Sequence, residues 1–306
     1  MENSGSPIVK IAKRVLAYGG VFIAAFVLTL YWSFPYELVA KKVLAQVHQR
    51  SGIEVTTGSV RPYWVLGLEA EGVKATLPSR RPGQAPLALS LSSATLRLKP
   101  IDSLFGGLAV AFDAHAPEGH VSGTVQQKKN KAVHLALDVH HLDIGKIPKV
   151  WDALGIGFTG DAHGKATMTL VPNQIQKTNG LIDVTVDKAK FGGGMIHGFT
   201  VPGLDLGQWH LKAAIEKGVV RLEPPLKIAG KDLDARVAGT IRLRPILVTS
   251  GMDLQVEFRP TERFWKANAT LASLGKSMLR SAQKPNGYYG YRLTGVVGNP
   301  RFMPSR

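Results

Sequence analysis

From Gly52 onward, apolar and polar residues take turns along the chain. The clearest runs are Leu87-Ala88-Leu89-Ser90-Leu91 followed by Ala94-Thr95-Leu96-Arg97-Leu98, then Ala132-Val133-His134-Leu135-Ala136-Leu137-Asp138-Val139, then Leu181-Ile182-Asp183-Val184-Thr185-Val186. A period of two puts successive side chains on opposite faces of a β-strand, so these runs read as strands with one apolar face. Further strands are expected at Lys165–Val171, Val219–Leu222, Leu233–Leu243, Met252–Phe258 and Tyr289–Val297, each bounded by Gly, Pro or Asn. They recur about every ten to fifteen residues without long helices between them, which suits an antiparallel meander and not parallel crossover units. A loose unit repeats, a Gly-containing strand followed by an apolar alternating one, as in Gly119–Val125 then Ala132–Leu142, and Gly160–Leu170 then Gly180–Val186. The expected fold is therefore mainly β, a long twisted antiparallel sheet with a few short helices, at Ile101–Phe105, Lys149–Leu154 and, longer, Thr261–Ser281. One face of such a sheet must be covered by its own curl, by the terminal helices, by a partner protein or by lipid chains.

The first fifty residues break this pattern. An uncharged run, VLAYGGVFIAAFVLTLYWSF from Val15 to Phe34, follows Lys10, Lys13 and Arg14. About 20 apolar residues at 1.5 Å each match a ~30 Å hydrocarbon layer, so the run is expected to be a transmembrane anchor. Val15, Phe22, Phe26 and Leu30 lie along it, and Tyr31 and Trp32 sit at its outer end, where amphipathic rings favour the headgroup layer. The basic residues before it favour a cytoplasmic N-terminus, although Lys41, Lys42 and Arg50 put positive charge beyond it as well. A cleaved signal peptide is the alternative, but Tyr31-Trp32-Ser33-Phe34-Pro35 lacks a small-x-small cleavage site. Pro35 then opens an amphipathic helix with Leu38, Val39, Val43, Leu44 and Val47 on one side. That helix either caps the end of the sheet or lies on the membrane. The organisation is thus residues 1–14 cytoplasmic, 15–34 anchor, 35–51 amphipathic helix and 52–306 a β-rich domain outside the cytoplasm.

Composition narrows the chemistry. The 306 residues include no cysteine, which excludes disulfides, thiolate metal sites and thiol nucleophiles. The formal charge is +16, spread in small groups such as Arg80-Arg81 and Lys128-Lys129 and not gathered into a stripe with exposed aromatics, so no nucleic-acid partner is expected. Attraction to anionic headgroups or acidic envelope polymers is the simpler use of that charge.

No catalytic signature stands in a supporting context. Gly155-Ile156-Gly157-Phe158-Thr159-Gly160 has the letters of a dinucleotide-binding loop, but it leads into a strand and reads as a turn. Leu274-Gly275-Lys276-Ser277 ends like a phosphate loop whose first Gly is replaced by Thr270. His134, Asp138 and His140 share the polar face of one strand, opposite Val133, Leu135, Leu137 and Val139. A metal site needs ligands converging from several elements, and strand spacing alone brings none of His115, His120, His163, His197 and His210 to that face. The acid pairs Glu69/Glu71 and Asp232/Asp234 read as solvated strand faces. Neither catalytic residues, a metal nor a cofactor is expected.

Several stretches resemble the type II secretion system protein N family of bacterial inner-membrane proteins. They are the anchor with Pro35–Arg50; Ala94–Pro100 before Leu104-Phe105-Gly106-Gly107; Thr200–Gly207; Ile228–Ile241; and Gly295–Phe302. The same stretches are similar to the wider AsmA-like group of envelope proteins. The resemblance implies a non-enzymatic, single-pass inner-membrane protein with its β domain in the periplasm, working with other secretion-system components. The AsmA-like likeness implies the alternative, an elongated β-structure whose hydrophobic groove binds or moves phospholipid. Leu135, Leu137, Val184 and Val186 are the residues expected to line such a groove or partner face.

Overall fold

A computed structural model describes residues 54–64, 66–77, 87–100, 107–146, 156–172, 174–196, 199–246, 249–269 and 279–305, with a few isolated positions besides. The anchor residues Val15, Phe22, Phe26, Leu30, Tyr31 and Trp32, the short helices expected at 101–105 and 149–154, and the 35–51 helix apart from two helical positions, Ala45 and Gln49, lie outside the described residues. Among the described residues no helix is long and apolar enough to cross a membrane.

The described residues form strands β1 (Glu54–Thr56), β2 (Ser59–Tyr63), β3 (Gly67–Leu77), β4 (Leu87–Leu98), β5 (Ala109–Ala116), β6 (Gly119–Gln127), β7 (Val133–Asp143) and β8 (Ile156–Leu170). They continue with β9 (Asn179–Ile196), β10 (Phe199–Val201), β11 (Leu204–Glu216), β12 (Val219–Ala229), β13 (Leu233–Arg242), β14 (Gly251–Pro260), β15 (Tyr289–Val296) and β16 (Asn299–Pro304). All sixteen belong to one sheet whose order is the order of the chain, with β2 beside β1 on the edge of β3 and β10 paired to the end of β9. Every pairing is antiparallel. The reason is local: strands joined by short turns pair with their sequence neighbours, and alternation fixes which face each side chain takes. The β11–β12 turn illustrates it, since Lys217 (φ 51°) and Gly218 (φ 76°) supply the two positive-φ positions of a twist-matched hairpin. Fourteen strands on the main path, spaced ~4.8 Å apart, extend about 60 Å along the hydrogen-bonding direction before twist is counted.

Packing is overwhelmingly between neighbouring strands. A line of irregularities crosses the middle of the sheet, where the register slips on β7 beside His141, on β9 beside Lys188 and on β11 beside Gly207, all three at positive φ. Such bulges bend strands and increase twist. Beside these bulges lies the buried cluster of Ala162, Val186, Ala189 and Leu206, with Leu142, Phe158, Val184, Phe191 and Trp209 packed around it.

Three expectations change. The two runs Leu87–Leu91 and Ala94–Leu98 are one strand, β4, whose apolar phase slips at Ser92-Ser93 opposite the matching slip at Glu71-Gly72 of β3. The Gly155–Gly160 run is not a turn: from Ile156 on it is the start of β8, and Gly157 lies so close to Gly192 of β9 that a Cβ would sit 3.3 Å from its Cα. β12 runs well past Leu222 to Ala229, slipping register over Glu223-Pro224-Pro225, where the prolines have no N–H to pair. Of the helix expected over 261–281, the structure describes α1 (Glu262–Ala267), capped by the Thr261 hydroxyl accepting from the Phe264 N–H, then helical positions at Ala269, Ala272, Ser277 and Leu279, and a 3₁₀ turn at Arg280–Ala282.

Candidate functional site

The cross-strand register can be followed from one edge of the sheet to the other. Starting in β2, directly paired residues run Pro62, Leu68, Leu96, Phe112, Gly123, Leu137, Ala166, Ile182, Ala213, Leu222, Gly239, Leu254, Leu293 and Phe302. Not one is polar. The parallel row through Leu98, Val110, Val125, Leu135, Met168, Gly180, Ile215, Val220, Ile241, Met252, Gly295 and Pro300 is apolar as well. Paired residues share a face, so the sheet carries an unbroken apolar surface across its whole width.

Leu135, Leu137, Val184 and Val186 all lie on this surface, joined across β8 by Met168, Ala166, Gly164 and Ala162. Val186 is 2% exposed at the heart of the central cluster, whereas Leu135, Leu137 and Val184 are half-buried. Leu96 (47%) and Phe302 (45%), near the two edges, are exposed. Among the described residues contacts run almost wholly between neighbouring strands, while Ile215 (2%) and Leu254 (8%) of these rows are buried. The surface is also shaped: Gly123 leaves room for the Phe112 ring, which an added Cβ would meet at 2.8 Å. Small residues alternate with large ones along the row from Phe112 to Leu254.

The opposite face is a ladder of charges. The row Asp113, Ser122, Asp138, Lys165, Asp183 and Lys212 faces away from the apolar surface, alternating in sign from β7 to β11. Hydrogen bonding from His210 holds the Asp183 carboxyl below its usual range, helped by Lys212. Arg292 grips Asp253 with two bonds of 2.7 Å and lowers that carboxyl too. Arg61 donates one hydrogen bond to Glu71 and lowers that carboxyl as well. Asp161 accepts from His141 and raises that imidazole above its usual value. These pairs are exposed and individually weak, but together they keep this face in water. Asp232 departs from the solvated reading: its carboxylate accepts the Asp205 N–H at 2.8 Å and closes the junction between β11 and the turn before β13.

The register also brings together side chains that sequence spacing left apart. The two-residue turn Pro117-Glu118 sets His115 opposite His120, and β7 sets His140 beside His120. The Asp113 carboxylate lies 2.9 Å from His115 Nδ1 and 2.8 Å from His120 Nε2. The signal was present in the chain, since a tight turn between Ala116 and Gly119 pairs any two residues equidistant from it.

In comparison with known proteins, no family model, no curated protein and no solved structure matches this chain.

Proposed function

We propose that this chain is a non-enzymatic protein of the bacterial envelope, held in the inner membrane by residues 15–34, whose sheet receives phospholipid acyl chains along its apolar face. One observation carries this reading: an apolar row that passes from Pro62 to Phe302 without a polar residue. Exposed apolar patches on ordinary soluble proteins are a few hundred Å² and bounded by polar residues. A strip running the length of the sheet fits a ligand that is itself long and apolar. The charged back keeps such a sheet dissolved and gives it a defined inside and outside. Net positive charge suits work beside anionic headgroups.

The second reading is a periplasmic component of a type II secretion apparatus, and it rests on the stretches that resemble that family. Two of these, Thr200–Gly207 and Ile228–Ile241, fall on β10 to β13, beside the central bend. There the apolar face would be covered by another protein of the apparatus.

The test compares phospholipid in organic extracts of the purified full chain with that of Leu137→Asp/Val184→Asp, whose membrane anchor is untouched. The acyl-chain reading expects the wild type to carry phospholipid in excess of the variant. Equal amounts in the two, with both folded by circular dichroism, refute it; a co-purifying protein lost from the variant would support the second reading.

A further inference from the structure

On the polar face, at the β5–β6–β7 end, three metal-binding side chains come together. Asp113, His115 and His120 each offer a ligand atom, and all of these lie within 4.8 Å of one another. The His115 and His120 rings stack with centroids 4.2 Å apart, and the His140 ring continues the stack 5.3 Å beyond. Asp138 holds His140, 3.2 Å from its Nε2, and is itself anchored by Lys165 at 3.3 Å.

We propose that Asp113, His115 and His120 form a binding site for a late first-row divalent ion such as Zn²⁺, with His140 or water as the fourth ligand. Two imidazole nitrogens and a carboxylate oxygen are the donor set that zinc takes, whereas Mg²⁺ and Ca²⁺ prefer all-oxygen sites. Both imidazole nitrogens already face the carboxylate at hydrogen-bond distance. A cation at the centre replaces the protons shared there and draws the three donors onto itself without moving a strand. The backbone is fixed by the short Pro117-Glu118 turn and by β7, so the donors come from a rigid platform and not a loop. His140 keeps its place through Asp138, the outer-shell support that orients a metal-binding histidine.

Placement sets the consequence. His115–His120–His140 cross the same three strands as Ala114, Val121 and Val139, one residue along each strand and on the opposite side of the sheet. Zinc would cross-link β5 and β6 from behind, and β7 too when His140 is the fourth ligand, stiffening the floor of the apolar face without touching what lies on it. The site is independent of what that face holds.

The experiment is equilibrium dialysis of the full chain, purified without a histidine tag and stripped with chelator, against micromolar Zn²⁺ with metal analysis. One zinc per chain is expected. His115→Gln/His120→Gln should weaken uptake by more than about tenfold, while His210→Gln, a histidine paired with Asp183 several strands away, should leave it unchanged. Undiminished uptake by the double variant, or no uptake by the wild type, overturns the proposal. Cobalt(II) on the wild type gives a reading that needs no variant. An intense visible spectrum supports the four-coordinate nitrogen and oxygen site, and a weak six-coordinate spectrum contradicts it.

Discussion

If the apolar face is open, the cost of trimming a side chain should follow its burial and not its size. Val186 is 2% exposed and enclosed by Ala162, Ala189 and Leu206. Val186→Ala removes two methyl groups from a packed place, at about 0.8 kcal/mol each plus a cavity contribution, or about 2 kcal/mol in all. Leu137 is larger, yet its cross-strand partners are Gly123 and Ala166, which offer little surface to pack against, and it is only half-buried. A fully buried Leu→Ala costs roughly 2–5 kcal/mol, but with one side facing solvent the loss should be about 1 kcal/mol. The smaller residue is therefore predicted to matter more. Urea unfolding of the delipidated full chain, held in solution by an amphipathic polymer and followed by far-ultraviolet circular dichroism, measures both variants. Added phospholipid should then raise the cost of Leu137→Ala and leave that of Val186→Ala nearly unchanged. A Leu137→Ala cost equal to or above that of Val186→Ala in the delipidated protein would mean that something already covers the face, and the open-face reasoning would fall.

Two further outcomes follow from the geometry. Gly218 stands at φ 76° with Ile175 O only 2.5 Å from where a Cβ would lie, so Gly218→Val should cost more than 1 kcal/mol, roughly, in the same urea assay, while the exposed neighbouring change Lys217→Asn stays near neutral. His141 holds its proton more tightly in the folded protein because Asp161 accepts its hydrogen bond. That contribution is fully present below the ordinary imidazole value and is lost as pH rises through the raised one, so Asp161→Asn should lower the His141 midpoint in a nuclear magnetic resonance titration and should narrow its stability gap to wild type at pH 9 relative to pH 6; an unmoved midpoint would sink the assignment.

Alternation made the strands legible because its period is a property of each strand alone. The shared face of Leu135, Leu137, Val184 and Val186 was legible for the same reason, although β7 and β9 are not neighbours. What joins them is β8, whose contribution, Ala162, Gly164 and Ala166, is small and breaks the apolar signal that a reader of periodicity follows. The bend at His141 left a trace, the slip from Val139 to Leu142, but a slip in one strand cannot say that Lys188 and Gly207 will slip beside it. Register is a relation between strands, and it decided everything that single-strand patterns left open. The Asp113, His115 and His120 grouping is the sharpest case, since each residue alone reads as a solvated polar position and only the pairing across β5 and β6 makes them a cluster. Gly155–Gly160 misled in the other direction, because glycines that let two strands approach closely carry the same letters as glycines that make a turn.

The most direct measurement is photo-crosslinking in living cells, with a photoreactive amino acid placed singly at positions on each face. Leu135, Leu211 and Leu293 report on the apolar face, and His134, Lys212 and Gln255 on the polar one. An acyl-chain trough predicts phospholipid-sized mass additions at all three apolar positions and at none of the polar ones. Protein adducts alone at the apolar positions, or equal labelling of both faces, would contradict it.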